Sequence, residues 1–170
     1  MDYSNTQLTM TVLMTPDKAN FTGNVHGGDL LKLLDQVAYA CASRYAGKQV
    51  VTLSVDQVTF RQPIHVGELV TCYASVNYTG NTSMEIGIKV IAENIQSQIK
   101  RHVNSCFFTM VAIGQDAKPS CVPTFTPRTP DELRRHRGAQ LRREMRLQYE
   151  NEALSIRSSK ALNTTESECS

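Results

Sequence analysis

Residues 20–35 combine amides, glycines and a carboxylate in a pattern that suits chemistry at a carbonyl group. The Gly27-Gly28 pair directly precedes an apolar stretch with helical spacing, so it should lie at the start of a helix. Glycine lets a ligand approach the backbone closely, and the first N–H groups of a helix lack intrahelical partners. Such a helix start can stabilise the oxyanion that forms when a carbonyl is attacked. Alternatively, the glycines only permit a tight turn.

Asp35 lies within the apolar part of the same predicted helix. An unpaired buried carboxylate is costly, so Asp35 either serves as a base or nucleophile, or faces solvent or a cation. Gly28 and Asp35 are two turns apart, about 10 Å by the rise of a helix, so one carbonyl cannot contact both in one chain. A second, antiparallel copy of the helix across a two-fold axis would bring the two together. If both residues act, the active unit is at least a dimer.

Three polar residues beside the glycines are candidates for binding substrate. Asn20 and Asn24 each carry an amide that can orient a water or bond a carbonyl, although asparagine is also common in turns. His26 can donate a hydrogen bond to a substrate, or it can serve the start of the helix. Each of the three therefore has a functional and a structural interpretation.

Two basic regions are candidates for binding anions. Arg61 follows Phe60 at the end of a predicted strand, where it can contact a phosphate. Six arginines lie between residues 134 and 146, and such a run either binds a polyanion or is the solvated face of a helix. No aromatic motif of the kind that stacks on RNA bases accompanies them, so nucleic acid is the weaker interpretation.

The composition limits the classes of protein. A chain of 170 residues, 41% of them hydrophobic, suits one domain, and its net charge of +2 is not that of a typical nucleic-acid binder. Its five cysteines include no CxxC pair, so we expect free thiols, no structural zinc and a reducing compartment. We find no signal peptide and no apolar run of membrane-spanning length, which predicts a soluble cytoplasmic protein.

The spacing of apolar residues predicts the elements that position these groups. Asp29–Ala46 has the three-to-four spacing of a largely buried helix, followed by Gly47 as its stop. After it the period changes to two, and short turns connect long strands, which predicts an antiparallel sheet packed on the helix in an α+β fold. The predicted strands are Gln7–Met14, Gln49–Phe60, Glu68–Tyr78, Thr82–Glu93 and Lys100–Ile113.

The C-terminal third has a different character. We place a domain boundary at residue 117, because residues 118–130 contain four of the six prolines and predict an extended connector. Asp131–Leu154 is highly charged and predicts an accessory helix. Ser155–Ser170 is rich in serine and threonine and is expected to be disordered.

Several separated motifs resemble the hotdog-fold acyl-CoA thioester hydrolases. They are residues 16–35 (PDKANFTGNVHGGDLLKLLD), 51–70 (VTLSVDQVTFRQPIHVGELV), 76–88 (VNYTGNTSMEIGI) and 102–112 (HVNSCFFTMVA). The resemblance covers roughly residues 7–115. It implies a hotdog fold, in which an antiparallel sheet wraps around a long central helix. It also implies hydrolysis of acyl-CoA to free CoA and a carboxylic acid, within fatty acid metabolism, without a metal or other cofactor.

The resemblance further implies roles for individual residues. The catalytic pair would be Asn20 and Asp35 from different hotdog units, with Asn24 as the rival for the asparagine. Backbone N–H groups at Gly28, and at Gly27 beside it, would stabilise the oxyanion. The CoA phosphates would meet Arg61 and the turn Asn81-Thr82-Ser83. Family members assemble as dimers of hotdogs, commonly in hexamers, so a trimer of dimers is expected.

Three other functions compete with hydrolysis. The first is a non-catalytic sensor of acyl-CoA or nucleotides on the same fold, against which the presence of both Asn20 and Asp35 argues. The second is a dehydratase or another hotdog enzyme, but such enzymes use a different histidine arrangement, and His26 lies in the thioesterase motif. The third is an RNA-associated protein that uses the C-terminal arginines.

Overall fold

The computed structural model describes residues 3–56 and 58–166. Its central element is helix α1, Gly27–Ala46, which begins two residues earlier than predicted. The residues that supply the three-to-four spacing are almost fully buried, with Leu34 and Val37 at 0% exposure. Gly47 ends the helix in a left-handed conformation with φ 62°, and its N–H donates to the Ser43 carbonyl over 2.9 Å.

A five-stranded antiparallel sheet in the order β1-β3-β4-β5-β2 packs against α1. Every strand contacts the helix, and the core lies between α1 and the inner face of the sheet. The predicted α+β architecture, a sheet wrapped around one long helix, is confirmed. The strands are β1 Gln7–Leu13, β2 Gln49–Val55, β3 Leu69–Thr79, β4 Ser83–Glu93 and β5 Lys100–Ile113. Short 3-10 turns cover Tyr3–Thr6 and Pro16–Lys18.

Strand β2 is shorter than predicted. It pairs with β5 only as far as Val55, and the expected continuation to Phe60 is wrong. Beyond Val55 the chain still runs beside β5, but the bonds that hold it are irregular. The Asn104 side-chain amide donates to the Thr59 carbonyl over 3.1 Å, and the Arg61 N–H donates to the Val103 carbonyl over 3.0 Å. A side chain thus replaces part of the backbone ladder.

The first compact unit extends to Thr126, not to residue 117 as predicted. The prolines do make residues 118–126 extended, but this segment is hydrogen-bonded to the domain. Lys48 Nζ donates to Ser120 Oγ over 2.8 Å, Tyr45 donates to the Pro123 carbonyl over 3.1 Å, and the Phe125 N–H donates to Thr79 Oγ1 over 2.8 Å.

The second unit, Pro127–Ser170, is built on helix α2, Pro130–Glu166. A capping box begins it: the Glu132 N–H donates to Thr129 Oγ1, and Glu132 Oε2 accepts from the Thr129 N–H. The helix continues well past Leu154, so the prediction of disorder is wrong for residues 155–166. Alanine, leucine, lysine and arginine between the serines and threonines maintain helix propensity there. Residues 167–170 lie outside the described residues.

Neither α1 nor α2, as far as the structure describes them, has an apolar stretch long enough to cross a membrane.

Four of the five cysteines fall within the described residues, and all four are free thiols. Cys41, Cys72 and Cys106 lie in the core at 0% exposure, whereas Cys121 is exposed. Burial disfavours the charged thiolate and raises the pKa of each of the three core thiols to about 12. These thiols should therefore be chemically inert in the native protein.

The thiols give a direct test of the core. In a Cys169→Ser variant, we expect one thiol, Cys121, to react rapidly with a disulfide reagent at pH 8. The core thiols should stay unreactive, because a pKa of about 12 leaves only about one thiolate in 10⁴ at that pH. All four should react in guanidinium chloride. Rapid native labelling of more than one thiol would contradict the described packing.

Candidate active site

The loop that enters α1 is organised around the side chain of Asn20. Asn20 Oδ1 accepts hydrogen bonds from the Thr22 N–H over 2.9 Å, from the Thr22 hydroxyl over 2.7 Å and from the Asn24 N–H over 3.1 Å. These donors fix the orientation of the amide, because its oxygen must face them. Among the described residues no acceptor faces Asn20 Nδ2, so its N–H groups are available to a ligand.

Asn24, the rival catalytic candidate, has its side chain engaged on both sides. Its Nδ2 donates to the Thr22 hydroxyl over 3.1 Å, and its Oδ1 lies 2.8 Å from His65 Nδ1. Asn24 therefore holds the loop in place. Thr22 uses one of the two N–H groups on Asn24 Nδ2, whereas both N–H groups on Asn20 Nδ2 are without a protein acceptor among the described residues.

The helix start differs in part from the prediction. His26 is the N-cap of α1, and its Nδ1 accepts a hydrogen bond from the Gly28 N–H over 3.0 Å. The predicted use of His26 for substrate, and of the Gly28 N–H as the principal oxyanion donor, conflicts with this bond. The Gly27 and Asp29 N–H groups have no acceptor among the described residues, and of these two residues Gly27 lines the neighbouring cavity, so Gly27 is the candidate donor at the positive end of the helix.

A cavity of about 270 Å³ is lined by four of the predicted site residues, Asn20, Asn24, Gly27 and Arg61. Phe60 forms an apolar wall beside the helix start: a Cβ added at Gly27 would lie 3.5 Å from Cζ of the Phe60 ring. Arg61 is exposed at the rim, in a position to meet an anionic part of a ligand. The amide, the free N–H and the guanidinium therefore line one space.

Asp35 is exposed on α1, which is the solvent-facing arrangement that the sequence left open. Its Oδ1 accepts a 2.6 Å hydrogen bond from Thr52 Oγ1 on strand β2, which fixes the carboxylate on the helix surface. A second cavity of about 480 Å³ contains Asp35 and is walled by apolar side chains, including Leu31, Val55 and Phe108. The carboxylate can therefore act on a ligand beside an apolar channel.

Within one chain, Asn20 and Asp35 line different cavities. This agrees with the separation of about 10 Å along the helix between Gly28 and Asp35. In one chain, therefore, the Asn20 amide and the Gly27 N–H lie at a cavity without a carboxylate, and Asp35 lies at a cavity without either of them.

The turn Asn81-Thr82-Ser83 does not join either cavity. Ser83 pairs with Val111 near the end of β5, whereas Arg61 is bonded to Val103 near its beginning. Eight residues of strand separate these points, about 26 Å. A single chain therefore does not combine this turn with Arg61 in one phosphate site.

Sequence reasoning overlooked Thr52. The period of two in β2 contained a usable signal, because Val50 is buried against the core and Thr52 follows it on the same face. Thr52 is exposed, and its hydroxyl lies beside α1 and donates to the Asp35 carboxylate.

The fold and these groups define a class of protein: a carboxylate, an amide and a free helix N–H on a hotdog scaffold suit the attack of oxygen on an acyl carbonyl. A family model described as the thioesterase superfamily matches residues 22–98. Protein VdlD of Helicobacter pylori is 54% identical over 141 residues, which cover 83% of this chain and 80% of VdlD. The chain belongs to the thioesterase superfamily.

Solved structures agree with this assignment. An acyl-CoA hydrolase from Staphylococcus aureus is 28% identical with a TM-score of 0.83, over 93% of this chain and 96% of that one. A hexameric acyl-CoA thioesterase in its apo form is 32% identical with a TM-score of 0.83, over 86% and 94% of the two chains.

The capping role of His26 is testable by stability. We expect His26→Ala to lower the free energy of unfolding by about 0.5–2 kcal/mol, because the Gly28 N–H loses its acceptor. His26→Asn, which retains a cap acceptor, should recover most of that loss. Urea denaturation measures both variants. An unchanged stability in His26→Ala would argue that the histidine is not a cap.

Proposed function

We propose that this protein hydrolyses acyl-CoA thioesters, consuming water and releasing CoA with a free thiol and a carboxylic acid. The observation that carries the proposal is the division of the site. Asp35 is exposed and held by Thr52 in one cavity, while the free Asn20 amide and the Gly27 N–H line another. Each half contains what the other lacks for attack on a thioester.

The proposed mechanism assigns one task to each group. Asp35 takes a proton from a water that attacks the carbonyl carbon, or its carboxylate attacks that carbon directly; the Thr52 hydroxyl holds one carboxylate oxygen and leaves the other for this step. The Gly27 N–H at the helix start stabilises the oxyanion. Asn20 Nδ2 positions the carbonyl or the water. The C–S bond then breaks, and the CoA sulfur leaves and is protonated, by Asp35 in the route that begins with water. In the route that begins with the carboxylate, water then hydrolyses the anhydride between Asp35 and the acyl group, which releases the acid and restores Asp35.

Each end of the substrate has a matching surface. Arg61 at the rim of the first cavity suits a CoA phosphate, because a guanidinium donates charge-assisted hydrogen bonds to such anions. The apolar walls beside Asp35 suit the acyl chain.

The related S. aureus hydrolase supports the choice of residues. Its structures include variants in which one asparagine, one aspartate and one threonine are each replaced by alanine, and another has butyryl-CoA and CoA bound. The asparagine and aspartate are 15 positions apart, and the aspartate and threonine 17. Asn20, Asp35 and Thr52 have the same two spacings, 35 − 20 = 15 and 52 − 35 = 17.

The exposed apolar residues of edge strand β2 support the proposal that a second chain completes the site. Strand β2 is an edge strand, and it exposes three large apolar side chains: Val51 at 49%, Leu53 at 65% and Val55 at 43%. An open, apolar strand edge favours association with another chain. Because Thr52 and Asp35 lie at this edge, a two-fold partner there would meet the carboxylate.

Three broader proposals accompany the reaction. A hexamer built as a trimer of dimers is supported by the hexameric relative. Action on fatty acyl-CoA in the cytoplasm is supported by the apolar walls beside Asp35, which suit the acyl chain, and by the free thiols of the described residues, which suit a reducing compartment. The reaction requires no metal or other cofactor, because protein groups provide both the activation of the nucleophile and the stabilisation of the oxyanion.

The first test measures thiol release from a series of acyl-CoAs of increasing chain length, in parallel assays with and without EDTA. We expect wild-type turnover and a loss of at least about 10³-fold in kcat for Asp35→Asn, since the amide neither accepts a proton nor attacks a carbonyl. Asp116→Asn, which alters an exposed carboxylate in a loop after β5, should keep wild-type activity.

Three results would count against the proposal. Absence of release from every acyl-CoA, in a folded protein, would exclude hydrolysis, and tight binding without turnover would favour a sensor. Full activity in Asp35→Asn would remove Asp35 from the mechanism. Loss of activity in EDTA would show that a metal takes part.

A second test asks whether two chains share the site. Asn20→Ala and Asp35→Asn should each be nearly inactive alone. When the two are unfolded together and refolded as a mixture, half of the dimers carry one chain of each kind, and one of their two sites is intact. We therefore expect about one quarter of wild-type activity. No recovery, with mixed dimers demonstrated by mass spectrometry, would place Asn20 and Asp35 of one chain in the same site.

A further inference from the structure

A line of hydrogen bonds connects a buried ion pair at the edge of the domain to the side chain of Asn20. We infer that His65, at one step of this line, is a positioning residue for Asn20: it anchors the Asn24 side chain and, through it, the Thr22 hydroxyl, which holds the Asn20 oxygen together with two backbone N–H groups. The inference rests on the proposed function, since it assigns His65 a part in the same reaction. It concerns a residue outside the cavity lining.

The line begins at Glu68, which is only 4% exposed. Both of its carboxylate oxygens accept from Arg101 Nη2, over 2.6 and 2.7 Å, and Oε2 also accepts from the His65 N–H over 2.8 Å. Arg101 in turn donates to the Pro63 carbonyl over 3.1 Å. The ion pair therefore fixes the backbone of residues 63–65 without using the imidazole of His65.

The imidazole makes the next step. His65 Nδ1 lies 2.8 Å from Asn24 Oδ1, and the backbones of the two residues form an isolated β-bridge. Asn24 Nδ2 then meets the Thr22 hydroxyl over 3.1 Å, and that hydroxyl meets Asn20 Oδ1 over 2.7 Å. Three side-chain contacts thus join His65 to Asn20.

The donor and the acceptor of each side-chain hydrogen bond in the line can be assigned by starting from Asn20. Backbone N–H groups of Thr22 and Asn24 can only donate, so the Asn20 atom that faces them is the oxygen. The Thr22 hydroxyl donates its one proton to Asn20 Oδ1. In its other hydrogen bond it must therefore be the acceptor, and Asn24 Nδ2 is the donor. Asn24 therefore turns its oxygen to His65, and His65 Nδ1 must carry the proton.

All side-chain donors in the line consequently point toward Asn20 Oδ1. Aligned hydrogen bonds polarise one another, so the line strengthens the hold on the Asn20 oxygen and makes Nδ2 a better donor. If the imidazole is lost, Asn24 Oδ1 loses its donor, the Asn24 amide is free to rotate, and the Thr22 hydroxyl loses a defined direction. His65 therefore acts on catalysis through Asn20 and not through contact with substrate.

The fold does not depend on the imidazole. His65 is exposed, and its N–H bond to Glu68 is a backbone bond that any residue at this position except proline retains. The Val25 N–H also donates to the Ile64 carbonyl over 2.8 Å, which independently holds the two segments together. A substitution at residue 65 therefore changes the hydrogen-bond line and leaves the domain folded.

The test compares His65→Ala with His65→Asn, whose side-chain nitrogen can take the place of Nδ1. We expect His65→Ala to lower kcat for acyl-CoA roughly ten-fold with KM changed less than two-fold, and His65→Asn to recover most of the loss. Introduced into Asn20→Ala, the His65→Ala change should have less than a two-fold further effect. His102→Ala, which removes another hydrogen-bonded histidine, should leave kcat unchanged.

Thermal melting confirms that each variant is folded. Independent, multiplying effects of His65→Ala and Asn20→Ala would overturn the inference, as would an unchanged kcat in His65→Ala. Equal loss in His65→Asn and His65→Ala would do the same.

A second measurement separates this inference from the proposed function. The side-chain amide pair of Asn20 can be identified by NMR as the pair missing from Asn20→Ala. We expect its signals to shift in His65→Ala and to return in His65→Asn, whether or not the protein hydrolyses acyl-CoA. An inactive wild type would refute the proposed function alone, whereas unmoved Asn20 signals in His65→Ala would refute the positioning role.

Discussion

The burial of α1 against the inner face of the sheet is the interaction on which the rest of this structure depends. Leu34, Val37 and Cys41 are fully buried in that contact, so the rotation of the helix about its axis is fixed. That rotation leaves one stripe of the helix uncovered, comprising Lys32, Asp35, Gln36 and Tyr39. The same packing holds the helix start beside the Asn20–Asn24 loop. Core packing, and not any local preference of the catalytic groups, therefore decides where the carboxylate and the oxyanion donor lie.

The main elements could be predicted from the sequence because their signals are local. The three-to-four spacing in α1 and the period of two in β3–β5 come from burial on one side, which neighbouring residues report together. The end of β2 could not be predicted, because its ladder is replaced by the side chain of Asn104, 45 residues away. The helix beyond Leu154 was missed because serine and threonine suggest disorder, while the intervening alanine, leucine and lysine maintain helix propensity.

In the candidate site, too, some features follow from neighbouring residues in the sequence, and others depend on hydrogen bonds that form only in the folded chain. Glycines before an apolar helix and a carboxylate two turns later are visible in the sequence, and they indicated the chemistry. The residue types alone do not separate Asn20 from Asn24, and only the family resemblance favours Asn20; in the structure the two differ in how far the amide nitrogen is already bonded. Asn24 Nδ2 donates to the Thr22 hydroxyl, whereas Asn20 Nδ2 has no protein acceptor among the described residues. The role of His26 as N-cap, by contrast, depends only on its place next to the helix start. A structural role at that start is one of the two roles that the sequence predicts for it.

Exposure of Asp35 has a consequence for where catalysis can occur. A solvated carboxylate is a weak base and a weak nucleophile, and water around it screens the charge that develops in the reaction. The hydrogen bond from Thr52 orients the carboxylate but does not exclude water from it. In the proposed dimer, the partner's oxyanion cavity and the bound acyl chain would cover Asp35 and remove that water. Association would then do more than bring Asn20 and Asp35 together: it would create the low-dielectric surroundings in which both are effective, so that the isolated chain lacks both the geometry and the environment for hydrolysis.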